Sequence, residues 1–193
     1  MKKLLAIVVL GLLWSVSAHA EDIKDFQIQG ISLGDSLLKY YSEKDIKKSQ
    51  KSKREKDKEY VTAFFNVNSD IYDSINVSFK RRDKQYIIKG VGGSKNYNNK
   101  IDECYEKQNE IFNELKTLFK NTEKTKNKLI KKQGYEDSTT NQSYMKFKDG
   151  SFAGIQCFKY GKKEKKKYNH KDKMRVSLFT QEYNYWLVNI AFK

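Results

Sequence analysis

The sequence predicts an α+β fold: two units, each a helix followed by an antiparallel meander, with the helices packed on one face of a mostly antiparallel sheet. Three observations lead there. Residues 60–67, 74–79 and 86–91 are alternating or β-branched and aromatic runs joined by short polar turns. Ile101, Cys104, Gln108, Ile111, Phe112, Leu115, Leu118 and Phe119 then recur at three- and four-residue spacing, which marks an amphipathic helix. Beyond that helix strand patterns return, and Asp149-Gly150 between two of them is a hairpin turn signal. Strands that follow one another through short turns become antiparallel neighbours, and the helices cover the apolar face they leave.

The elements follow in order. Lys2 and Lys3, an apolar run over residues 4–16 and the small-x-small site Ala18-His19-Ala20 read as a cleaved signal peptide, residues 1–20. Thirteen helical residues reach about 20 Å, short against a hydrocarbon core of about 30 Å. Residues 21–193 are expected to form a single domain, periplasmic or secreted, with no membrane-spanning segment. Asp35 is placed to cap a first helix starting at Ser36, with Leu37, Leu38 and Tyr41 as its apolar stripe. Ser42 with Asp45 imitates a capping box and predicts a second short turn. The basic run to Lys58 has almost no apolar content and reads as a solvated connection. The three strands of the first meander come next, then the helix from Ile101, for which Asn98 or Asn99 is the expected cap. A polar stretch to about Gln142 precedes strands at 144–147 and 152–160. A lysine-rich loop leads to a strand at 174–178, and Trp186, Val188, Ile190 and Phe192 alternate as a last strand.

Charge is concentrated. The formal net charge is +15, and residues 44–58, 120–132 and 162–173 each carry a net +5. One reading is an anionic partner: lipid headgroups, lipopolysaccharide, a cell-wall polymer, another envelope component or nucleic acid, or else a partner protein. Lys165, Lys166 and Lys167 are the candidate anion-binding residues. Lysine greatly outnumbers arginine, whose planar fork is the usual reader of phosphate, so nucleic acid is disfavoured. The competing reading is that the three segments are solvated loops. Whether they share one face separates the two.

Cys104 and Cys157 are the only cysteines. In an exported chain an even count favours a disulfide, here linking the long helix to a strand, because Cys104 lies on the helix's apolar stripe. Two Cys with one His beyond the leader do not make a zinc tetrad, and no cofactor motif is present. Gly90-Val91-Gly92-Gly93 matches neither the dinucleotide nor the Walker pattern and reads as a strand end needing positive φ.

Gly34-Asp35-Ser36-Leu37 spells the nucleophile block of the GDSL hydrolases. The rest of that family's machinery is missing. The position three before His170 is Lys167 rather than an acid, no Asn-Asp pair exists to supply oxyanion donors, and the strand order is not parallel α/β. His170 in its lysine-rich setting reads as a solvated surface residue. No catalytic residue is assigned. The alternative to a binding protein is an enzyme with an unrecognised carboxylate site.

The Gly30–Leu38 block, Tyr97-Asn98-Asn99 ahead of Cys104, the segment FKDGSFAGIQCFKY around Cys157 and the segment MRVSLFTQEYNYWL near the end together resemble a family of small, secreted, uncharacterised bacterial proteins. These share a Gly-Asp-Ser-Leu start and one Cys pair. The resemblance implies that the blocks determine the fold, and it implies no activity, ligand or site residue. The order of elements is also similar in architecture to export modules such as the β-lactamase inhibitor proteins.

Overall fold

The computed structural model describes residues 23–50, 59–132 and 135–191, with only the backbone of 132, 135 and 136. The expected signal peptide, residues 1–20 with Ala18 and Ala20, lies outside the described residues, as do Lys51 to Lys58 of the first lysine segment. A 3-10 turn at Ile23–Asp25 leads into a small ribbon, β1 (Gln27–Ile28) and β2 (Ile31–Ser32), turning through Gln29 and Gly30 at positive φ. A second 3-10 turn, Leu37–Lys39, and helix α1 (Glu43–Ser49) precede β3 (Tyr60–Asn66), β4 (Ser74–Lys80) and β5 (Ile88–Asn98). Helix α2 (Ile101–Leu118) follows. Then come β6 (Glu123–Lys132), β7 (Tyr135–Lys146), β8 (Phe152–Lys159), α3 (Lys162–Tyr168), β9 (Asp172–Phe179), α4 (Gln181–Trp186) and a π-helical turn, Leu187–Ala191.

The fold is α+β, and β3 to β9 form one antiparallel sheet of seven strands, ordered β3-β4-β5-β9-β8-β7-β6. Two meanders are visible in that order, β3-β4-β5 and β6-β7-β8-β9, each preceded by a helix. They join where β5 pairs with β9, Val91 opposite Leu178. One face carries the core. Val77, Val91, Ile155, Met145 and Leu178 lie there at 1% exposure or less, beneath α2, α1 and the N-terminal ribbon. α2 packs its stripe Cys104, Gln108, Ile111, Phe112 and Leu115 onto the sheet. Gln108 is polar yet fully buried, because its amide donates to Asn141 O at 3.1 Å and Ile155 O at 2.9 Å. Cys104 and Cys157 form the disulfide between α2 and β8, with Cα atoms 6.1 Å apart.

Several expectations need correction. Asp35 is not the cap of the first turn. Ser36 is: its Oγ accepts from Leu38 N at 3.3 Å, while Asp35 is engaged by Tyr40 and Lys39. That turn is 3-10, and the α-helix starts after Ser42, whose Oγ accepts from Asp45 N. The long helix has no side-chain cap, and Asn98 instead takes positive φ in the strand end before it. The polar stretch after α2 is two long strands, β6 and β7. The third lysine segment is helical over α3. The last strand is absent, since α4 and the π turn occupy residues 181–191. Unlike α1 and α2, α4 rests on the opposite face of the sheet. There Tyr183 Oη donates to Ser78 Oγ at 2.9 Å, and Tyr60, Tyr183 and Trp186 form a second small cluster. The glycines at 90 to 93 are not at a strand end and do not need positive φ. A Cβ on Gly90 would lie 2.7 Å from the Tyr183 ring, so close approach is what they permit.

Candidate binding face

Side chains alternate across a strand, so the register fixes what faces away from the core. α4 covers one corner of that second face. On it Phe152 stacks on Phe179 at 5.8 Å and Tyr144 on Phe152 at 5.4 Å, and Phe179 meets Tyr183 edge-on at 5.3 Å. The middle is floored by Gly92 and Gly154 and carries the amides of Asn76, Gln142 and Gln156, all half-buried. Gln156 Nε2 donates to Gln142 Oε1 at 3.3 Å.

The charges on this face are one-sided. Lys128, Lys146, Lys173 and Arg175 alternate onto it along the registered strands. Lys80 does too, and it is held by Glu182 from α4. Among the described strand residues a single carboxylate joins them, Glu123 at the outer corner opposite Lys146. Glu182 from α4 is a second acid against this face, and it is taken up by Lys80 and Lys89.

Lys173 and Arg175 are its centre. Both are half-buried on β9, next to the middle of the sheet. Lys173 Nζ lies 5.8 Å from the Phe158 ring centroid and 5.9 Å from that of Tyr160, and the Arg175 guanidinium lies 5.4 Å from Phe158. Among the described residues neither makes an ion pair, and Arg175 Nε is buried without a hydrogen-bond partner. Burial pushes the Lys173 ammonium below the ordinary lysine value, and Arg175 beside it pushes it further. Burial also lowers Arg175, against the opposing pull of Tyr160. The nearby carboxylate of Asp73 is engaged by Lys95 and by the backbone and side chain of Asn96.

The lysine segments divide. α1 with Lys44, Lys47 and Lys48 packs beside β3, one edge of the sheet, and β6 is the other edge. Six strand spacings of roughly 4.8 Å put these edges about 29 Å apart. The end of β6 and α3 lie at a common end of the sheet. The candidate residues on α3 differ among themselves. Lys165 is not available to an anion, because it pairs with buried Asp172 at 2.7 Å and donates to Asn99 Oδ1. Lys166 is exposed, and Lys167 Nζ sits 5.1 Å over the Tyr168 ring.

His170 is half-buried rather than solvated. It packs 4.6 Å from the Tyr160 ring and 5.4 Å from Tyr168, with Nδ1 3.4 Å from Glu164 Oε1. Glu164 is fully buried and accepts from Ser138 Oγ, which in turn accepts from Gly161 N. In this cluster the serine hydroxyl is bonded to the acid and not to the imidazole, so the Ser–His–acid order of a hydrolase triad is not formed. Ser36 donates its hydroxyl to Gln85 O at 2.6 Å and is linked to backbone alone. Among the described residues no group of three His, Cys, Asp or Glu side chains gathers to hold a metal, and no helix is long and apolar enough to cross a membrane.

Sequence reasoning missed the second face because it read β6 and most of β7 as a polar stretch and counted Lys128 and Lys173 within lysine segments, with no strand to aim them. The signal for Lys173 and Arg175 was present as the alternation of Lys173, Arg175, Ser177 and Phe179 against Met174, Val176 and Leu178. Comparison with protein-family models, curated proteins and solved structures found no match to this chain.

Proposed function

We propose that this protein is an exported, non-catalytic binding module of the cell envelope, and that it receives an acidic polysaccharide on the open face of its sheet. One observation carries the reading: the face gathers Lys128, Lys146, Lys173 and Arg175, and Glu123 is the single carboxylate among the described strand residues on it. Such a field attracts an anionic polymer and repels an acidic surface of the wrong shape poorly, so shape and hydrogen bonding must add the selectivity. The amides of Asn76, Gln142 and Gln156 offer both donors and acceptors, which suits hydroxyl-rich sugars. Aromatic rings present apolar planes to the C–H faces of a sugar ring. A bilayer is a poorer occupant, because Lys173 and Arg175 sit half-buried among rings and do not project to a flat surface. Export rests on the leader-like residues 1–20.

The test is retention on immobilised polygalacturonate against neutral dextran. The expected result is retention on the acidic polymer alone, falling as salt rises. Equal retention on both, or none on either at low salt, overturns the reading. Retention on vesicles of phosphatidylglycerol in place of the polysaccharide would assign the face to lipid.

A further inference from the structure

We infer that Lys173 and Arg175 form a seat for one planar oxyanion, the carboxylate of a uronic acid unit, between the rings of β8 and the polar side chains of β5. The inference rests on the open face being the binding surface, and it names the point on that face where the anionic group is held. Three features of the pair support it. The two cations are two residues apart on one strand and converge on the same Phe158 ring, at 5.8 Å and 5.4 Å. Like charges brought together in a half-buried place repel each other more than they would in water, and among the described residues no carboxylate relieves them. Arg175 Nε is a buried donor with no partner among the described residues, a condition that native proteins seldom leave standing without a ligand or water.

The surroundings fit an oxyanion attached to a sugar. Across the ladder Arg175 lies opposite Gln156 on β8 and Ser94 on β5, and Lys173 lies opposite Phe158 and Asn96. A guanidinium presents two parallel N–H groups that match both oxygens of a carboxylate, and the ammonium adds a point charge beside it. Gln156 and Ser94 flank the position where sugar hydroxyls would fall. Gly92 and Gly154, buried in the adjoining strands, keep the floor low: a Cβ at Gly92 would stand 2.8 Å from Asn76 Oδ1, and one at Gly154 2.5 Å from the Phe152 ring. The cation–π contacts explain how the pair survives without a ligand. Each offsets part of the burial, but neither supplies the missing negative charge.

The experiment is calorimetric titration of the protein with galacturonate oligomers. Wild type, Lys173→Met, Arg175→Met and, as a control on α3, Lys166→Met are compared. Thermal melts of each and amide chemical-shift mapping on the wild type run in parallel. The expected result is affinity at least tenfold weaker in Lys173→Met and Arg175→Met and unchanged in Lys166→Met. Melting temperatures should be unchanged or raised, and shifts should centre on residues 94, 156, 173 and 175. If the wild type binds, yet both face variants bind as well and the shifts centre on Lys128 and Lys146, the seat is wrong while the face stands. Shift mapping needs no variant, so it decides the matter even if a substitution unfolds the protein. If the wild type binds no anionic oligomer, the face and the seat fall together. A lower melting temperature in both variants with undiminished affinity would make the pair structural and overturn the seat.

Discussion

The Ser36 hydroxyl ties two backbone segments together, accepting from Leu38 N and donating to Gln85 O. Ser36→Ala removes both bonds and is expected to cost about 1 kcal/mol in urea denaturation. Asp35→Ala loses only contacts near the surface and should cost less at neutral pH; the opposite ranking would return the cap to Asp35. Asp35 matters more in acid. The hydrogen bond from Tyr40 and then the Lys39 ammonium hold its carboxyl below the ordinary 3.8, and the bond from Lys80 does the same for Glu182 below 4.5. A carboxyl depressed on folding contributes stability above its unfolded value and loses it as pH falls through its folded one. Denaturation midpoints should therefore drop below the ordinary carboxylate range, and an Asp35→Asn, Glu182→Gln variant should show a shallower acid limb. An unchanged limb would mean that other carboxyls control it. Residues of this kind were half legible in the sequence. The motif predicted a turn, but which of two adjacent capping types takes the cap depends on where Gln85 arrives, and that is set by β4 and β5.

At the scale of elements, α4 is held by what Gly90 leaves open. Gly90→Ala puts a Cβ against Tyr183, so it should undock α4 and break the Tyr183–Ser78 bond. Trp186, 7% exposed, is the sole tryptophan after Trp14. Its emission should shift to the red in that variant, and an unshifted spectrum would show that the ring can slide aside. The disulfide closes a separation of 53 residues, for which chain entropy gives about 4 kcal/mol of stabilisation. Reduction or a paired Cys→Ala substitution should lower the urea midpoint accordingly. The central strands and α2 were readable because burial imposes period two or 3.6 on apolar residues. β6 was not, because an edge strand laden with lysine has almost no buried face, and lysine there deters edge pairing. α3 has no apolar stripe at all; buried Glu164 and its bond to Ser138 anchor it. The alternation of Trp186, Val188 and Ile190 misled in the other direction. Val188 and Ile190 are 63% and 55% exposed, so no second strand stood ready to bury them, and the cap at Thr180 turned the segment into helix.

For the molecule as a whole, the two faces of one sheet have separate tasks. The face under α1 and α2 holds the core and the disulfide, and the other carries cations with almost no acid among them. The sequence showed the excess of positive charge but located it in lysine runs. The structure sets the described part of the first run beside the β3 edge and the second on the β6 edge, and it brings Lys173, the last residue of the third, beside Arg175 on β9, where neither makes an ion pair among the described residues. Holding Lys173 there opposes folding in the absence of a ligand. Its folded value is depressed, so the unfolded chain binds more protons, and stability should rise as pH climbs from that value toward 10.5. Lys173→Met should abolish that rise, as thermal melts across alkaline pH would reveal, and a rise that persists would assign it to another lysine. The most direct test of the open face as the binding surface is hydrogen exchange of the protein with and without polygalacturonate. New protection is expected in β5, β8 and β9 around Ser94, Gln156 and Arg175. Protection confined to α3 and the end of β6, with the centre of the sheet unchanged, would contradict it.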